Sequence, residues 1–235
     1  MDEEFNRLYE EIFKRLKSKY NEEAVKGMER FGINVKNTYG VPIPELRNIA
    51  KEIGRNHPLA QSLWSSGVHE AKLLATMIED PEMVTEEQME QWVKDTDSWD
   101  ICDACCGNLF DKTPFAYRKA VEWSSRKEEY VKRAGFVLMA ELVVHDKKAS
   151  DEKFLEFLPL IKKQSTDERN FVRKAVNWAL RQIGKRNSNL NEACVKTAKE
   201  MKKINSKSAK WIASDALIEL TSESVKLRLH QTKSV

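Results

Sequence analysis

Val131-Lys132-Arg133-Ala134 recurs 41 residues later as Val172-Arg173-Lys174-Ala175, and an apolar run follows each copy. Lys210-Trp211-Ile212-Ala213 begins a weaker third copy. Around these segments, apolar residues return with a period near 3.6, and no convincing strand alternation occurs. The pattern therefore predicts an all-helical chain built from repeated units.

A repeat of about 40 residues with two helices per unit is typical of HEAT and armadillo arrays. Each unit exposes an apolar face that only its neighbour can cover, so the units stack into a curved array with a concave surface. We predict an all-α fold, a HEAT-like helical-repeat solenoid (an α-α superhelix). It should form a single domain over residues 1–235, in which residues 221–235 are a frayed tail.

The composition of the chain is that of a folded protein, with 41% hydrophobic and 33% charged residues among 235. No apolar run approaches the length that crosses a bilayer, and the start, Met1–Glu4, is acidic rather than signal-like. Four cysteines without a secretory context favour a reducing compartment. These features predict a cytoplasmic protein with no membrane partner.

The net charge of +3 is unevenly distributed along the chain. Residues 1–100 contain 13 Lys and Arg against 20 Asp and Glu, a net charge of −7. Residues 101–235 contain 27 against 17, a net charge of +10. A basic surface can neutralise nucleic-acid phosphates, although solvated charges on Lys/Glu-rich helices explain the same numbers.

The segment from Ser98 to Phe110 combines packing residues with reactive ones. In a helix, Trp99 and Asp103 lie on one face. Ser98 suits the N-cap, and Asp100 suits the positive end of the first turn. A packing helix would more cheaply carry leucine than this carboxylate beside an indole. Spacing alone leaves open that Asp103 is solvated or hydrogen-bonded and that the indole is core.

Four motifs in order resemble those of the AlkD-like DNA alkylation repair family, the HEAT-like-repeat alkylpurine DNA glycosylases. Ser98-Trp99-Asp100-x-x-Asp103 is similar to the family's Trp-Asp-x-x-Asp helix. Residues 131–134 resemble the repeat that carries the family's arginine, and residues 174–181 its Lys-Ala-x-x-Trp-x-Leu-Arg helix. Upstream, residues 39–47 resemble its Gly-x-x-x-Pro-x-x-Arg turn.

The resemblance implies a glycosylase that removes cationic N3- or N7-alkylated purines from double-stranded DNA without base flipping, metal or cofactor. Asp103 would stabilise the oxocarbenium-like sugar and orient water, while Trp99 and Trp178 lie against the sugar and backbone. The expected DNA contacts are Arg133, Arg181, Arg47, Phe31 and Lys185. The acid and the two indoles are expected to converge on one sugar along a basic trough. An array with a DNA-sized groove needs no partner subunit, so we expect a monomer, associated with the nucleoid when bound to DNA.

The sequence also departs from the family pattern. Ser98 stands where some relatives have a second tryptophan, and Phe31 stands where some have a tyrosine. Some branches bind unusual DNA without glycosylase activity, so a non-catalytic protein that binds branched or damaged DNA is the alternative. A protein-interaction scaffold is a third possibility. Without the family pattern, Trp178 would be interpreted as a core residue, and Arg133 and Arg181 would be interpreted as solvated surface residues.

Three cysteines, Cys102, Cys105 and Cys106, invite a metal or redox interpretation. One helix cannot supply a tetrahedral site by itself, so inert packing thiols are the favoured reading. Glycine-rich phosphate loops, GxSxG and HExxH are absent from the sequence, which argues against nucleotide hydrolases, common esterases and zincins. Packing between repeats is predicted for four tryptophans: Trp64, Trp92, Trp123 and Trp211.

Overall fold

A computed structural model describes residues 3–231, with side chains through Leu229. Every regular element in this range is helical, which confirms the predicted all-α class. The helices are α1 (Glu3–Ser18), α2 (Glu22–Arg30), α3 (Ile43–Ile53), α4 (His57–Ser65), α5 (His69–Ile78), α6 (Glu86–Lys94), α7 (Trp99–Ala104), α8 (Ala116–Ser124), α9 (Glu129–His145), α10 (Asp151–Leu155), α11 (Phe157–Gln164), α12 (Asn170–Gly184), α13 (Ser188–Met201), α14 (Lys207–Leu220) and α15 (Glu223–Gln231). None of them is long and apolar enough to cross a membrane.

The chain falls into two compact units divided between Thr113 and Pro114, and each is described by itself. In the first unit α3, α5 and α7 pack in succession, and α4 packs on α5. Across neighbouring helices Trp64 stacks on Trp92, with ring centroids 4.1 Å apart. The single domain over residues 1–235 stays a prediction.

A buried carboxylate fixes the loop before α3. Glu70, 1% exposed at the start of α5, accepts hydrogen bonds from the Thr38 hydroxyl (2.7 Å) and the Gly40 amide (2.6 Å). Gly40 adopts φ +73, a left-handed conformation that favours glycine. The Tyr39-Gly40-Val41 motif thus turns its amides towards a buried acid.

The second unit shows the repeat directly. Its inner helices α9, α12 and α14 pack in succession, while α8, α11 and α13 lie on α9, α12 and α14 respectively. The apolar runs that follow the repeated motifs form the interior, where Ala134, Phe136, Val172, Ala175 and Val176 are completely buried. Each inner helix therefore covers the apolar face of the next, as the sequence predicts.

The prediction of a frayed tail over residues 221–235 is wrong for residues 223–231. Residues 223–231 form α15, whose Val225 and Leu229 are each only 6% exposed. Arg228 of this helix donates to the backbone carbonyl of Lys185 (2.8 Å). Apolar burial and this bond hold α15 against the second unit, and residues 232–235 lie outside the described part of the chain.

Gly135 marks the closest approach of α8 to α9. A Cβ atom at this position would collide with the Ser124 backbone nitrogen and would lie 2.9 Å from the Ser124 Cα. Backbone atoms cannot move aside as a flexible side chain can. We therefore expect Gly135→Ala to destabilise the protein by about 1–3 kcal/mol, as overpacking does.

Gly27→Ala is the matched control for this substitution. Gly27 lies in α2 with nothing within 4 Å of an added Cβ, so alanine should stabilise the protein by about 0.5–1 kcal/mol. Chemical unfolding of both variants measures the two effects. Equal stability of the Gly135→Ala variant and the wild type would contradict the close packing of α8 on α9.

Candidate functional site

The first part of the candidate site is the start of α7. Trp99 is half-buried, and its Nε1 donates to the Phe31 carbonyl oxygen (3.0 Å). The Phe31 ring is 72% exposed at the end of α2. The indole is therefore not a core residue, and an exposed phenyl group lies on the segment that orients it.

Asp103 lies one turn after Trp99 on the same helix, and its side chain is half-buried. Immediately beyond, α7 changes to a π-helix over Cys105–Leu109 and a 3₁₀ turn over Phe110–Lys112. The regular α-helix therefore ends just after the acid. Such π segments are frequent at functional sites.

A buried histidine holds the start of α7. His69, 4% exposed on α5, places Nε2 2.9 Å from Asp100 Oδ2. The other oxygen, Asp100 Oδ1, accepts from the Ser98 hydroxyl (2.7 Å) and the Ile101 amide (3.0 Å). Burial raises the pKa of Asp100, but the bonds from His69, Ser98 and Ile101 outweigh it and lower this pKa below its ordinary value.

This network refines two sequence predictions. Ser98 stands at the N-cap position of α7, as predicted, but its side chain caps no backbone amide, and its hydroxyl donates to Asp100. Asp100 is explained by His69 as well as by the helix dipole. Sequence reasoning missed His69, although its spacing of 31 residues from Asp100 matches that of another contact, from Trp64 Nε1 to Asp95 (3.2 Å).

The cysteines of this segment are packing residues. Cys102, Cys105 and Cys106 are buried thiols that form no disulfide. Burial raises the pKa of Cys105 and Cys106 well above the ordinary thiol value. Among the described residues no group of three or more His, Cys, Asp or Glu is arranged to hold a metal ion.

The second unit holds the other predicted residues. Trp178 is half-buried on α12, so it is not the fully buried core residue of the alternative reading. Arg133 on α9 is 6% exposed, and its Nη1 donates to the Phe171 carbonyl (2.6 Å). The solvated-arginine reading is therefore wrong for Arg133, which links two successive inner helices.

Arg181 and Lys185 face carboxylates that sequence reasoning did not find. Arg181 lies 2.9 Å from Asp215 and 2.5 Å from Glu219 on α14, and Lys185 lies 2.8 Å from Glu219. Asp215 also accepts from the Asn177 amide (2.6 Å), and hydrogen bonds from Asn177 and Arg181 lower the pKa of Asp215. The two cations thus bring less net charge to this face than the sequence suggests.

The predicted packing tryptophans fall into two groups. Trp64, Trp92 and Trp123 are at most 4% exposed, which confirms their packing role. Trp211 is 39% exposed, and the Arg173 guanidinium lies 5.0 Å from its ring centroid. The prediction that Trp211 packs between repeats is therefore wrong, because α14 presents it at the surface beneath a cation.

The eight predicted site residues divide between the units. The first unit carries Phe31, Arg47, Trp99 and Asp103, with Arg47 exposed on α3, and the second carries Arg133, Trp178, Arg181 and Lys185. Each group is built on packed helices. Their convergence on one sugar stays a prediction.

Residues 12–216 match the family described as DNA alkylation repair enzymes. The chain belongs to this family. It is 24% identical over 170 residues to an uncharacterized protein of Listeria innocua serovar 6a, covering 71% of this chain and 74% of that one.

A likeness to a solved structure supports the HEAT-like repeat fold of this family member. That structure represents a new family of proteins related to the HEAT-like repeat DNA glycosylases, with affinity for branched DNA structures. The TM-score is 0.77 at 21% identity, over 94% of this chain and 95% of the other. The predicted HEAT-like architecture is thereby confirmed.

The buried bond between His69 and Asp100 predicts a pH-dependent cost for Asp100→Asn in this repair-family protein. Because the folded-state pKa of Asp100 is lowered, its stabilisation is present above the unfolded-state pKa of about 3.9 and is lost as pH falls through the folded value. We expect a cost of about 1–3 kcal/mol at pH 7 that shrinks below about pH 4.

Urea unfolding between pH 7 and pH 3 measures this cost. Glu82→Gln, at an exposed carboxylate of the same unit, is the control and should change stability by less than about 0.5 kcal/mol. A cost of Asp100→Asn that stays constant over this pH range would contradict the assigned role of the charge.

The partial exposure of Trp178 predicts a modest stability loss on truncation. Trp178→Ala should cost about 1–2 kcal/mol, because part of its apolar surface is already in water. Trp123→Ala, at a completely buried indole of the same unit, should cost about 3–5 kcal/mol. Thermal or urea unfolding compares the two, and equal losses would return Trp178 to the core.

Proposed function

We propose that this member of the DNA alkylation repair family is a DNA glycosylase. It would excise cationic N3- or N7-alkylated purines from double-stranded DNA without base flipping, acting as a monomer on nucleoid DNA in the cytoplasm. The observation that supports the proposal is the half-buried carboxylate of Asp103, one helical turn from the half-buried indole of Trp99. The family match gives this pair its chemical context.

This reaction does not need a general acid. Alkylation at N3 or N7 leaves a cationic base that is already a good leaving group, so the enzyme need not protonate it. As the N-glycosidic bond breaks, positive charge develops on the deoxyribose, and water then attacks the anomeric carbon. A preorganised carboxylate stabilises that charge, as in glycoside hydrolysis.

The attraction between the carboxylate and the positively charged sugar is strong enough to accelerate the reaction. Opposite unit charges about 4 Å apart attract by about 4 kcal/mol at an effective dielectric constant of 20. If this attraction acts only in the transition state, it corresponds to a rate increase of roughly 10³-fold. Partial burial of Asp103 on a packed helix favours this role, because a fixed carboxylate need not reorganise during the reaction.

The aromatic residues would complete the sugar environment. Trp99 is fixed by its bond to the Phe31 carbonyl, so its ring orientation is set before DNA binds. An indole face attracts a cation and excludes competing water. We assign this role to Trp99 and Trp178, both of which are half-buried rather than core.

Phosphate binding would come mainly from the second unit. Residues 114–235 contain 26 Lys and Arg against 15 Asp and Glu, a net charge of +11. We assign backbone contacts to Arg133, Arg181, Arg47, Phe31 and Lys185. Arg133 is buried and already donates to the Phe171 carbonyl, and Arg181 and Lys185 already face Asp215 and Glu219. These three cations would therefore give a phosphate less attraction than exposed, unpaired ones.

Asp103→Asn tests the proposal directly. The variant keeps the shape of the side chain but removes its charge, so release of 7-methylguanine from methylated duplex DNA should fall on the order of 10²–10³-fold. Chromatography of the freed base under single-turnover conditions measures it. Glu82→Gln is the control, as an exposed acid in the same unit whose loss should leave the rate unchanged.

A non-catalytic DNA-binding protein is the second candidate. The solved structure of similar fold comes from a family with affinity for branched DNA. This candidate predicts tighter binding to a three-way junction than to a duplex of equal length. It also predicts that the wild type releases 7-methylguanine no faster than the Asp103→Asn variant, a result that would end the glycosylase proposal.

A further inference from the structure

A basic pocket lies at the C-terminal ends of α9 and α12. It has a volume of about 530 Å³, and four cationic side chains line it: Lys147, Lys185, Arg186 and Arg228. The other lining residues are Val143, Val144, Gln182 and Asn187. Among the described residues no carboxylate lines this pocket, which we call the basic pocket.

Two arginines of the basic pocket are held in place by backbone carbonyls. Arg186 donates to the carbonyls of Val143 (2.7 Å) and Ala149 (2.9 Å), just beyond the end of α9. Arg228 donates to the carbonyl of Lys185 (2.8 Å), and so α15 brings a further cation to the end of α12. These bonds orient both guanidinium groups before any ligand binds, Arg186 through several carbonyls and the exposed Arg228 through that of Lys185.

The charge balance of the basic pocket is positive. Its four cations contribute +4, and the two helix C-termini offset this by about −0.5 each. Glu219 outside the lining pairs with Lys185, which leaves about +2. Asp146 and Asp151 lie outside the lining and keep their own charges, because the Tyr117 hydroxyl and the Asn187 amide that donate to them are neutral. The charged side chains that line the pocket itself are all cationic, which suits an anion.

We propose that the basic pocket binds a backbone phosphate of the DNA that passes Trp178. The proposal rests on the proposed function, since it takes α12 as a DNA-contacting helix. Lys185 follows Trp178 by seven residues, or about 10 Å along α12. That distance is the rise of about three base pairs of B-DNA, so a strand at Trp178 can extend to the pocket.

This site adds Lys147, Arg186 and Arg228 to the residues that the sequence assigned to DNA. Contacts of this kind fix position rather than read bases. Lys147 is exposed and no ion pair to it is found among the described residues, which leaves its ammonium group available to a phosphate. Arg186 already donates to the carbonyls of Val143, Lys147 and Ala149, so it contributes mainly charge to the pocket.

The test is the salt dependence of DNA binding. The double variant Lys147→Ala with Arg228→Ala should reduce the slope of log K against log salt by about 0.9 for each phosphate that the protein no longer neutralises. The affinity at 0.1 M salt should fall by about eightfold for each such phosphate. Fluorescence anisotropy with a labelled duplex of about 20 base pairs, long enough to span the predicted trough, measures both quantities.

The control removes the same charge elsewhere in the unit. Lys196→Ala with Lys199→Ala changes two exposed lysines of α13 and should leave the slope unchanged. Equal slopes for the two double variants would overturn the proposal. Lys147→Glu, at an exposed position, replaces the double variant if that protein loses its fold by circular dichroism, and it should lower the slope likewise.

Two further outcomes separate this site from its rivals. Thermal stabilisation of the wild type by millimolar inorganic phosphate, without any effect of the pocket variants on the DNA slope, would assign the pocket to a free anion and overturn the proposal. A changed slope in a protein that releases no 7-methylguanine would support the phosphate site while rejecting the glycosylase. Failure of the site and failure of the enzyme are thus distinguishable.

Discussion

The contact between His69 and Asp100 is the interaction on which the first half of the candidate site depends. It joins the start of α7 to α5 across 2.9 Å, between a buried imidazole and a carboxylate that is 19% exposed. One carboxylate oxygen faces the imidazole while the other organises the first turn of α7 through Ser98 and Ile101. Trp99 and Asp103 lie on the helix whose first turn this carboxylate organises, so the geometry of the candidate site depends on a residue outside the proposed catalytic group.

Hydrogen bonds between successive inner helices perform the same task in the second unit. Arg133 reaches the Phe171 carbonyl, and Asn177 reaches Asp215, each across 38 residues of sequence. These bonds align one repeat with the next, but they also engage the cations that a DNA-binding reading would leave free. The charge of a helical array is therefore a poor measure of what it offers a phosphate. The ion pairs and hydrogen bonds that each cation already makes decide how much positive charge is available to a phosphate.

The sequence predicted the helices well because their period and their breaks are local properties. The repeat was visible only in the second unit, where the motifs at 131–134 and 172–175 coincide with α9 and α12. In the first unit, contacts recur at 31 or 32 residues, as from Trp64 to Asp95 and from Thr76 to Asn108. This shorter period carries no repeated motif, so composition and spacing could not reveal it.

The sequence predicts which residues form the candidate site, but not which side chains surround them. Trp99, Asp103 and Trp178 were named from motifs, yet their partial exposure depends on which helices cover them. His69 and the acids opposite Arg181 lie in other helices, 31 to 38 residues away, and only the packed structure brings them into contact. The exposed Trp211 and the helix at 223–231 were misjudged for the same reason, since tertiary packing decides both.

Burial of the cysteines has a consequence for a protein that belongs to an alkylation repair family. The thiolate, not the thiol, reacts with electrophiles, and burial raises the pKa of Cys105, Cys106 and Cys194. These sulfur atoms therefore stay protonated and enclosed at neutral pH. Reagents that methylate purines would therefore find no reactive thiolate at these positions. Helix packing thus also protects the cysteines from alkylating agents.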